Sequence, residues 1–151
     1  MQETTAQVSE VIEGDPEQVW EALLDPEKIR QYYLGAEVKT DWKVGSPITW
    51  KGEWDGKTYS DKGEVLDVQP SRHLSYSHWS PMTQTEDVAE NYHQIDIDLG
   101  KVVGGTKVRL RQSNLMGGVT EEDRKSRPEF EKNWRSMLQG LRKVVEGSDD
   151  H

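Results

Sequence analysis

The chain has 151 residues, the length of one ordinary domain, and it can bury a core without covalent staples. It contains no cysteine, which excludes disulfides and thiolate metal sites. The net charge of −9 disfavours nucleic acid and anionic membranes as partners, and no apolar run reaches the roughly 20 residues of a membrane-spanning helix.

The first predicted elements are a strand and two short helices. Residues 4–12 alternate in polarity, with Glu10 on the same face as the apolar residues. The tripeptide Asp-Pro-Glu then occurs twice, beginning at Asp15 and Asp25. An aspartate suits a helix N-cap, and a proline suits the first helical position. The two copies are therefore interpreted as helix starts on the solvent side, not as a catalytic carboxylate pair.

The middle of the chain predicts strands. Apolar residues recur with period two, and turn-like separators such as "WDGK" and "KVVGG" interrupt them. One side of each strand is polar, as in an antiparallel sheet with one solvated face. His78, His93 and Gln112 are polar residues on the apolar phase. The predicted strands cover 36–41, 46–54, 57–69, 72–79, 91–99 and 105–114.

The last predicted element is a long helix. Thr120 and Asp123 can form its first turn, and Pro128 predicts a restart. From Phe130 onward, apolar residues recur at three- and four-residue spacing and form one stripe. Gly140 interrupts the stripe, where it either permits close approach to the sheet or has no role.

This order of elements predicts an α+β helix-grip fold, in which a curved antiparallel sheet of about seven strands wraps around the C-terminal helix. A curved sheet cannot contact a straight helix along its whole length, so we expect a pocket between them. Residues 1–146 are predicted to form a single domain, and residues 147–151 a disordered tail.

Four stretches carry a family resemblance: "DPEQVWEALLDPEKIRQYY" with Trp20, "TDWKVGSPITWKGEWDGKTYSDKGEVLDVQPSRHLSYSHWS", "GGTKVRLRQSNL" and "NWRSMLQGLRKVVE". Together they resemble the START-like superfamily (SRPBCC, or birch-pollen-allergen fold). Within it they are most similar to the family named after activators of the 90-kDa heat-shock chaperone ATPase. The resemblance implies a helix-grip fold with a deep internal cavity. The superfamily includes lipid carriers, hormone receptors, cyclases, oxygenase domains and chaperone regulators.

Aromatic and polar residues supply the candidate site. The aromatic rings can line a cavity for an apolar ligand, or they can be ordinary core packing. His78, His93 and Gln112 can orient a polar ligand group, or they can be satisfied residues at the end of a sheet. The predicted ligand-binding residues are Tyr32, Tyr33, Trp50, Trp54, Tyr76, His78, His93, Ile95, Gln112, Leu115, Met116, Trp134, Met137 and Leu138. Tyr59 and Trp79 are further aromatic candidates.

Two connections can act as mobile lids or as disordered loops. One is the segment 80–91, which is long for a hairpin loop. The other follows the last strand, where Leu115 and Met116 form an apolar lip before Gly117 and Gly118.

Three functions remain open from the sequence. The first is non-catalytic binding of a small hydrophobic or amphipathic molecule in the cavity. The second is regulation of a chaperone ATPase through protein contact. The third is a cyclase- or hydratase-type acid–base enzyme that uses Glu10, His78 or His93, although Glu10 can instead form an ion pair at the strand edge. The sequence has no phosphate-binding glycine loop and no metal-ligand spacing, so we expect neither a cofactor nor a metal, and we expect a cytoplasmic location.

Overall fold

The computed structural model describes residues 4–33, 35–54, 56–81 and 85–147, without the side chain of Trp54. Residues 148–151 of the predicted tail lie outside this range. The strands are β1 (Thr4–Ile12), β2 (Glu37–Lys39), β3 (Pro47–Trp54), β4 (Lys57–Gln69), β5 (His73–His78), β6 (His93–Val102) and β7 (Gly105–Asn114). The helices are α1 (Pro16–Leu24), α2 (Pro26–Tyr32) and α3 (Glu121–Glu146).

The predicted fold class is confirmed. Within the described ranges, seven antiparallel strands form one curved sheet in the order β1-β7-β6-β5-β4-β3-β2. The two short helices follow β1, and α3 packs most closely along β1 and against α2 and α1. We call the sheet face that looks toward α3 the concave face.

The two Asp-Pro-Glu copies start helices, as the sequence predicts. The Asp15 carboxylate accepts a bond of 3.2 Å from the Gln18 backbone N–H, and the Gln18 side chain accepts one of 2.9 Å from the Asp15 N–H. The Asp25 carboxylate accepts a bond of 2.9 Å from the Glu27 N–H. These bonds satisfy amides that have no partner within the helix. This part of the chain is framework.

The predicted restart at Pro128 is wrong, because α3 is continuous from Glu121 to Glu146. Pro128 removes one backbone donor from an exposed position. The first turn is fixed independently by a capping box between Thr120 and Asp123. The Asp123 carboxylate also accepts a 2.8 Å bond from the Asn114 side chain on β7, which ties the start of the helix to the sheet.

Two glycines allow close packing that the fold requires. A Cβ atom at Gly63 would overlap the carbonyl oxygen of Ser77, so the sharp approach of β4 to β5 needs a glycine there. A Cβ at Gly140 would lie 2.9 Å from the Cβ of Tyr32. Gly140 therefore permits close approach of α3 to α2, and neither of the two alternatives drawn from the sequence is right.

The layer between α3 and the sheet has two ends of different composition. Near the C-terminus of α3, the layer is made of fully enclosed aliphatic side chains, and we call it the aliphatic end: Ile12, Val19, Val108, Leu138 and Leu141. Nearer the start of α3, it is made of aromatic rings and polar groups, and we call it the aromatic end: Tyr33, Trp50, Asp61, Tyr76, His78, His93, Gln112 and Trp134.

Candidate functional site

A row of polar side chains crosses the concave face at the aromatic end. Strand register places Trp50 on β3 opposite Asp61 on β4. His78 on β5 lies opposite His93 on β6, which in turn lies opposite Asn114 on β7. Because side chains on paired strands share a face at each register position, this row points toward α3.

Asp61 and His78 form a largely buried pair. The His78 Nε2 lies 2.9 Å from the Asp61 Oδ2, and the two side chains are 18% and 14% exposed. The Trp50 ring contacts the His78 ring edge-on, with 5.1 Å between the ring centroids. The other carboxylate oxygen, Asp61 Oδ1, is buried and has no hydrogen-bond partner among the described residues. Leaving such an oxygen unpaired has a free-energy cost.

Tyrosine residues lie near this pair. Burial raises the pKa of Tyr33 well above its ordinary value, and Tyr76, Asp61 and Tyr59 add to the shift electrostatically. Burial also raises the pKa of Tyr76. The phenols therefore stay protonated at neutral pH and can act as hydrogen-bond donors. The Trp50 and Tyr76 rings pack with their centroids 5.3 Å apart.

The underside of α3 completes the aromatic end. The Trp134 Nε1–H donates a bond of 2.6 Å to the Oε1 of Gln112, which is buried on β7. The Trp134 ring lies nearly parallel to the Tyr33 ring, at a centroid distance of 6.4 Å. One helix, one strand and the segment after α2 therefore meet here through aromatic and polar side chains.

His93 is held as a neutral imidazole. Burial lowers its pKa below the usual value, the neighbouring His78 lowers it further, and Asp123 opposes the shift. The ring packs edge-on against Phe130 of α3 at 6.0 Å between centroids. A neutral imidazole can accept a hydrogen bond or a proton from a ligand.

The cavity that the sequence predicts is not open at ligand size. The gap beneath α3 has a volume of about 30 Å³, room for about one or two water molecules. Pockets for small ligands usually measure about 300–1,000 Å³. Aromatic and aliphatic side chains fill the remaining space. The gap is lined by Leu23, Ile29, Tyr32, Tyr33, Trp42, Trp50, Leu74, Tyr76, Ile97 and Met137.

The predicted site residues separate into groups. Tyr32, Tyr33, Trp50, Tyr76 and Met137 line the gap, whereas His78, His93, Gln112 and Trp134 belong to the polar part of the aromatic end. Ile95 and Leu138 are enclosed in the core. Leu115 is half-buried and Met116 is exposed. Trp54 ends β3, and its side chain is outside the described part of the structure.

Two candidates lie away from the gap. The Glu10 carboxylate forms an ion pair of 3.1 Å with Arg142 on α3. Glu10 lies opposite Val108, six positions along β7 from Asn114, or about 20 Å at the usual rise per residue. The structure thus places Glu10 outside the gap in which an acid–base role would require it. Trp79 stacks on Tyr92 at 6.2 Å instead of facing α3.

The described part of the loop between β5 and β6 is tied to its surroundings. Lys62 forms an ion pair with Asp87, and the Tyr92 hydroxyl donates a 2.5 Å bond to the same carboxylate. A short 3-10 turn over Ala89–Asn91 precedes β6. Residues 82–84 of this predicted lid lie outside the described residues.

Asp61 is the main site residue that sequence reasoning missed. It lies in phase with Tyr59 and Val65 on β4, so its position on the concave face was readable from the alternation. The signal was weak because the first half of β4 is polar on both faces. Trp42 was also missed. Its indole N–H donates a 3.2 Å bond to the Leu24 carbonyl, and its ring closes one side of the gap.

No group of three or more His, Asp or Glu residues in the described ranges is arranged to hold a metal ion. Among the helices that the structure describes, none is long and apolar enough to cross a membrane.

Comparison with known proteins gives a consistent family and fold. The model of the family described as activator of Hsp90 ATPase homolog 1-like protein matches residues 13–146. The solution structure of ChR145 from Cytophaga hutchinsonii is 45% identical, with a TM-score of 0.77 over 97% of this chain and 96% of that one. None of the curated proteins matches the sequence.

Two more distant structures share the fold. The crystal structure of MLL2253 from Mesorhizobium loti is 24% identical, with a TM-score of 0.74 over 95% of this chain and 97% of that one. The solution structure of the Aha1 dimer from Colwellia psychrerythraea is 19% identical, with a TM-score of 0.69 over 93% of this chain and 95% of that one.

Proposed function

Because the chain belongs to the family of activator of Hsp90 ATPase homolog 1-like proteins, we propose that it binds a small hydrophobic or amphipathic molecule between α3 and the concave face, at the aromatic end. The observation that carries the proposal is the concentration of aromatic rings at this end together with a carboxylate, two imidazoles and a side-chain amide. The largely buried Asp61–His78 pair and the Trp134–Gln112 bond are its polar elements.

A hydrophobic core does not need these groups. The aliphatic end holds α3 on the sheet with side chains such as Leu138 and Leu141, which are completely enclosed. Burying a carboxylate and two imidazoles lowers stability unless each polar atom is paired. Their position beneath α3 is therefore better explained by recognition of a ligand than by stabilisation of the fold.

Ligand entry requires side chains to move, because the gap of about 30 Å³ is too small for an amphipathic molecule. The Tyr33–Trp134 contact is a stack between two rings at 6.4 Å, so it can separate without breaking a hydrogen bond between them. The apolar body of the ligand would then replace ring–ring contacts. Its burial would contribute about 25 cal/mol for each Å² removed from water.

Titration with the neutral fluorophore N-phenyl-1-naphthylamine tests the proposal. Competition with a panel of lipids and amphiphiles, read by fluorescence and by melting temperature, identifies the ligand class. We expect saturable binding, weakened about tenfold or more by Trp134→Leu, a change of about 1.4 kcal/mol. Trp79→Leu is the matched control, because Trp79 stacks on Tyr92 and not under α3, and it should change affinity less than twofold.

The proposal fails if neither the fluorophore nor any amphiphile binds the folded protein. It also fails if the two tryptophan variants weaken binding equally. Circular dichroism spectra of both variants distinguish a lost site from a lost fold.

Family membership favours a second candidate, stimulation of a 90-kDa heat-shock chaperone ATPase through protein contact. This function would depend on the surface and not on the gap. Titration of the chaperone's ATPase rate with the wild-type protein tests it directly. An unchanged rate at saturating protein removes this candidate and leaves the ligand-binding proposal untouched.

A further inference from the structure

Among the described residues, His73 and His78 both pair with aspartates, but arginines accompany only the His73 cluster. On the outer face of the sheet, Asp98 accepts a 2.7 Å bond from His73 and a 2.9 Å bond from Arg111. On the concave face, Asp61 Oδ2 lies 2.9 Å from His78 Nε2. In the described residues, no lysine or arginine nitrogen lies within 4.0 Å of its carboxylate.

The two oxygens of the Asp61 carboxylate have different surroundings. The Oδ2 atom of Asp61 is bonded to His78, whereas Oδ1 is buried without a hydrogen-bond partner in the described structure. When His78 is neutral and donates its Nε2–H, the pair carries one negative charge. A buried carboxylate oxygen in this state is a strong acceptor for a charged donor.

Aromatic residues lie close to the Asp61 carboxylate. Trp50 lies directly opposite Asp61 across the β3–β4 ladder, and the electrostatic influence of Asp61 extends to Tyr33 and Tyr59. The ring faces of Trp and Tyr carry partial negative charge and attract cations. A carboxylate among such rings suits a protonated amine, whereas it repels a carboxylate or phosphate group.

We propose that the aromatic end selects ligands whose apolar body carries a protonated amine, with the ammonium group donating a hydrogen bond to Asp61 Oδ1 between the rings of Trp50, Tyr33 and Tyr59. This rests on the proposed function, because ring displacement beneath α3 is what makes Oδ1 reachable. The apolar body of the ligand occupies the space toward Met137 and Trp134. The inference names the head group of the ligand class that the proposed function leaves open.

Three probes with the same eight-carbon chain test the head group: octylamine, 1-octanol and octanoate. Isothermal titration calorimetry is carried out at about pH 8, above the range in which histidine side chains ordinarily titrate. We expect octylamine to bind about tenfold more tightly than 1-octanol, as for a hydrogen bond to a charged group, and octanoate to bind most weakly. Equal affinity for octylamine and 1-octanol, or preference for octanoate, overturns the inference.

Two substitutions distinguish a specific bond to Asp61 from the general attraction of an ammonium group to an acidic protein. They are Asp61→Asn and Glu64→Gln. Each removes one negative charge from β4, but Glu64 is exposed and faces away from α3. Asp61→Asn should abolish the preference for octylamine over 1-octanol. Glu64→Gln should retain the preference, and equal behaviour of the two variants contradicts the inference.

The outcomes for the two proposals are distinguishable. If 1-octanol binds and is displaced by the fluorophore while octylamine has no advantage, the amine inference fails and the ligand-binding function stands. If no probe binds the wild-type protein, the ligand-binding function itself fails, and the amine inference fails with it. Because the three-probe comparison uses wild-type protein, it remains decisive even if Asp61→Asn does not fold.

Discussion

At the aliphatic end, Ile12, Val108 and Leu141 are fully enclosed, and burial of their side chains carries no polar cost. At the aromatic end, Trp134 requires Gln112 as an acceptor, and Asp61 keeps one buried oxygen unpaired. Both ends lie beneath the same helix and on the same sheet. The difference is therefore a property of the side chains and not of the architecture.

The contrast indicates a division of roles within one layer. Aliphatic packing contributes stability without the free-energy cost of an unpaired polar atom, since an aliphatic side chain has no hydrogen-bonding group to satisfy. Buried polar groups reduce stability unless they are fully paired, and such compromises concentrate at functional sites. The aliphatic end is thus framework, and the aromatic end is the candidate site.

Gly63→Ala should have the largest effect of the changes considered. The new Cβ would overlap the Ser77 carbonyl oxygen, so the bend that brings β4 to β5 beside His78 could not form as it stands. We expect the free energy of unfolding to fall by at least about 3 kcal/mol, or folding to be lost. Gly100→Ala is the matched control, because nothing lies within 4 Å of its added Cβ in β6. Similar urea-unfolding curves for the two variants would show that the bend tolerates a side chain.

Leu138→Ala tests the structural role of the aliphatic end. Leu138 is 0% exposed, so its truncation leaves a cavity, and we expect a loss of about 3 kcal/mol in urea unfolding. Trp134→Leu, four residues earlier on α3, should lower stability less, because Trp134 is only half-buried. Its main effect should be on ligand affinity. If Trp134→Leu destabilised the protein more than Leu138→Ala, the division between the two ends would be incorrect.

The pH dependence of stability tests the burial of His93. Burial lowers the pKa of His93 in the folded protein, so the unfolded chain takes up protons at higher pH than the folded chain. The stability contributed by neutral His93 is present above about pH 6.5 and is lost as the pH falls through the lowered folded-state pKa. His93→Asn should therefore lose less stability than wild type between about pH 7.5 and 5. The lowered pKa of Asp123 acts in the same direction, but only in the more acidic range where carboxylates titrate. Parallel stability–pH curves for wild type and variant would contradict this assignment.

Asp61→Asn should have the smallest effect on stability. The amide keeps the shape of the carboxylate and an acceptor for His78, but it removes the buried charge that has no second partner. We expect the free energy of unfolding to change by no more than about 1 kcal/mol, or to rise. A loss well above that value would mean that the Asp61–His78 pair stabilises the fold and that its burial needs no ligand.

Local sequence signals were sufficient for most of the fold. The caps at Asp15 and Asp25, and the period-two alternation, depend on neighbouring residues, so the helix starts and strand phases could be predicted. Pro128 shows the limit of local reasoning. A capping box at Thr120 and the tie from Asn114 to Asp123 keep α3 continuous despite a residue that disfavours helix.

The site was less predictable because it depends on contacts between distant segments. The partner of Glu10 is Arg142, which is 132 residues away, and no spacing rule connects them. The small volume of the gap depends on how Tyr33, Trp50 and Tyr76 pack together, and composition alone cannot decide between a lined cavity and a filled one. Asp61 was within reach of the alternation pattern, but its unpaired oxygen is visible only in three dimensions.

A titration of wild-type protein with octylamine, followed by NMR of the indole N–H and the methyl groups, tests directly whether the aromatic end is the binding site. We expect progressive, saturable shifts of the Trp50 and Trp134 indole signals and of the Met137 methyl, while the Leu141 and Val108 methyl signals stay in place. Saturable shifts centred on Leu141 and Val108, or binding that leaves both indole signals unchanged, would contradict a ligand site at the aromatic end.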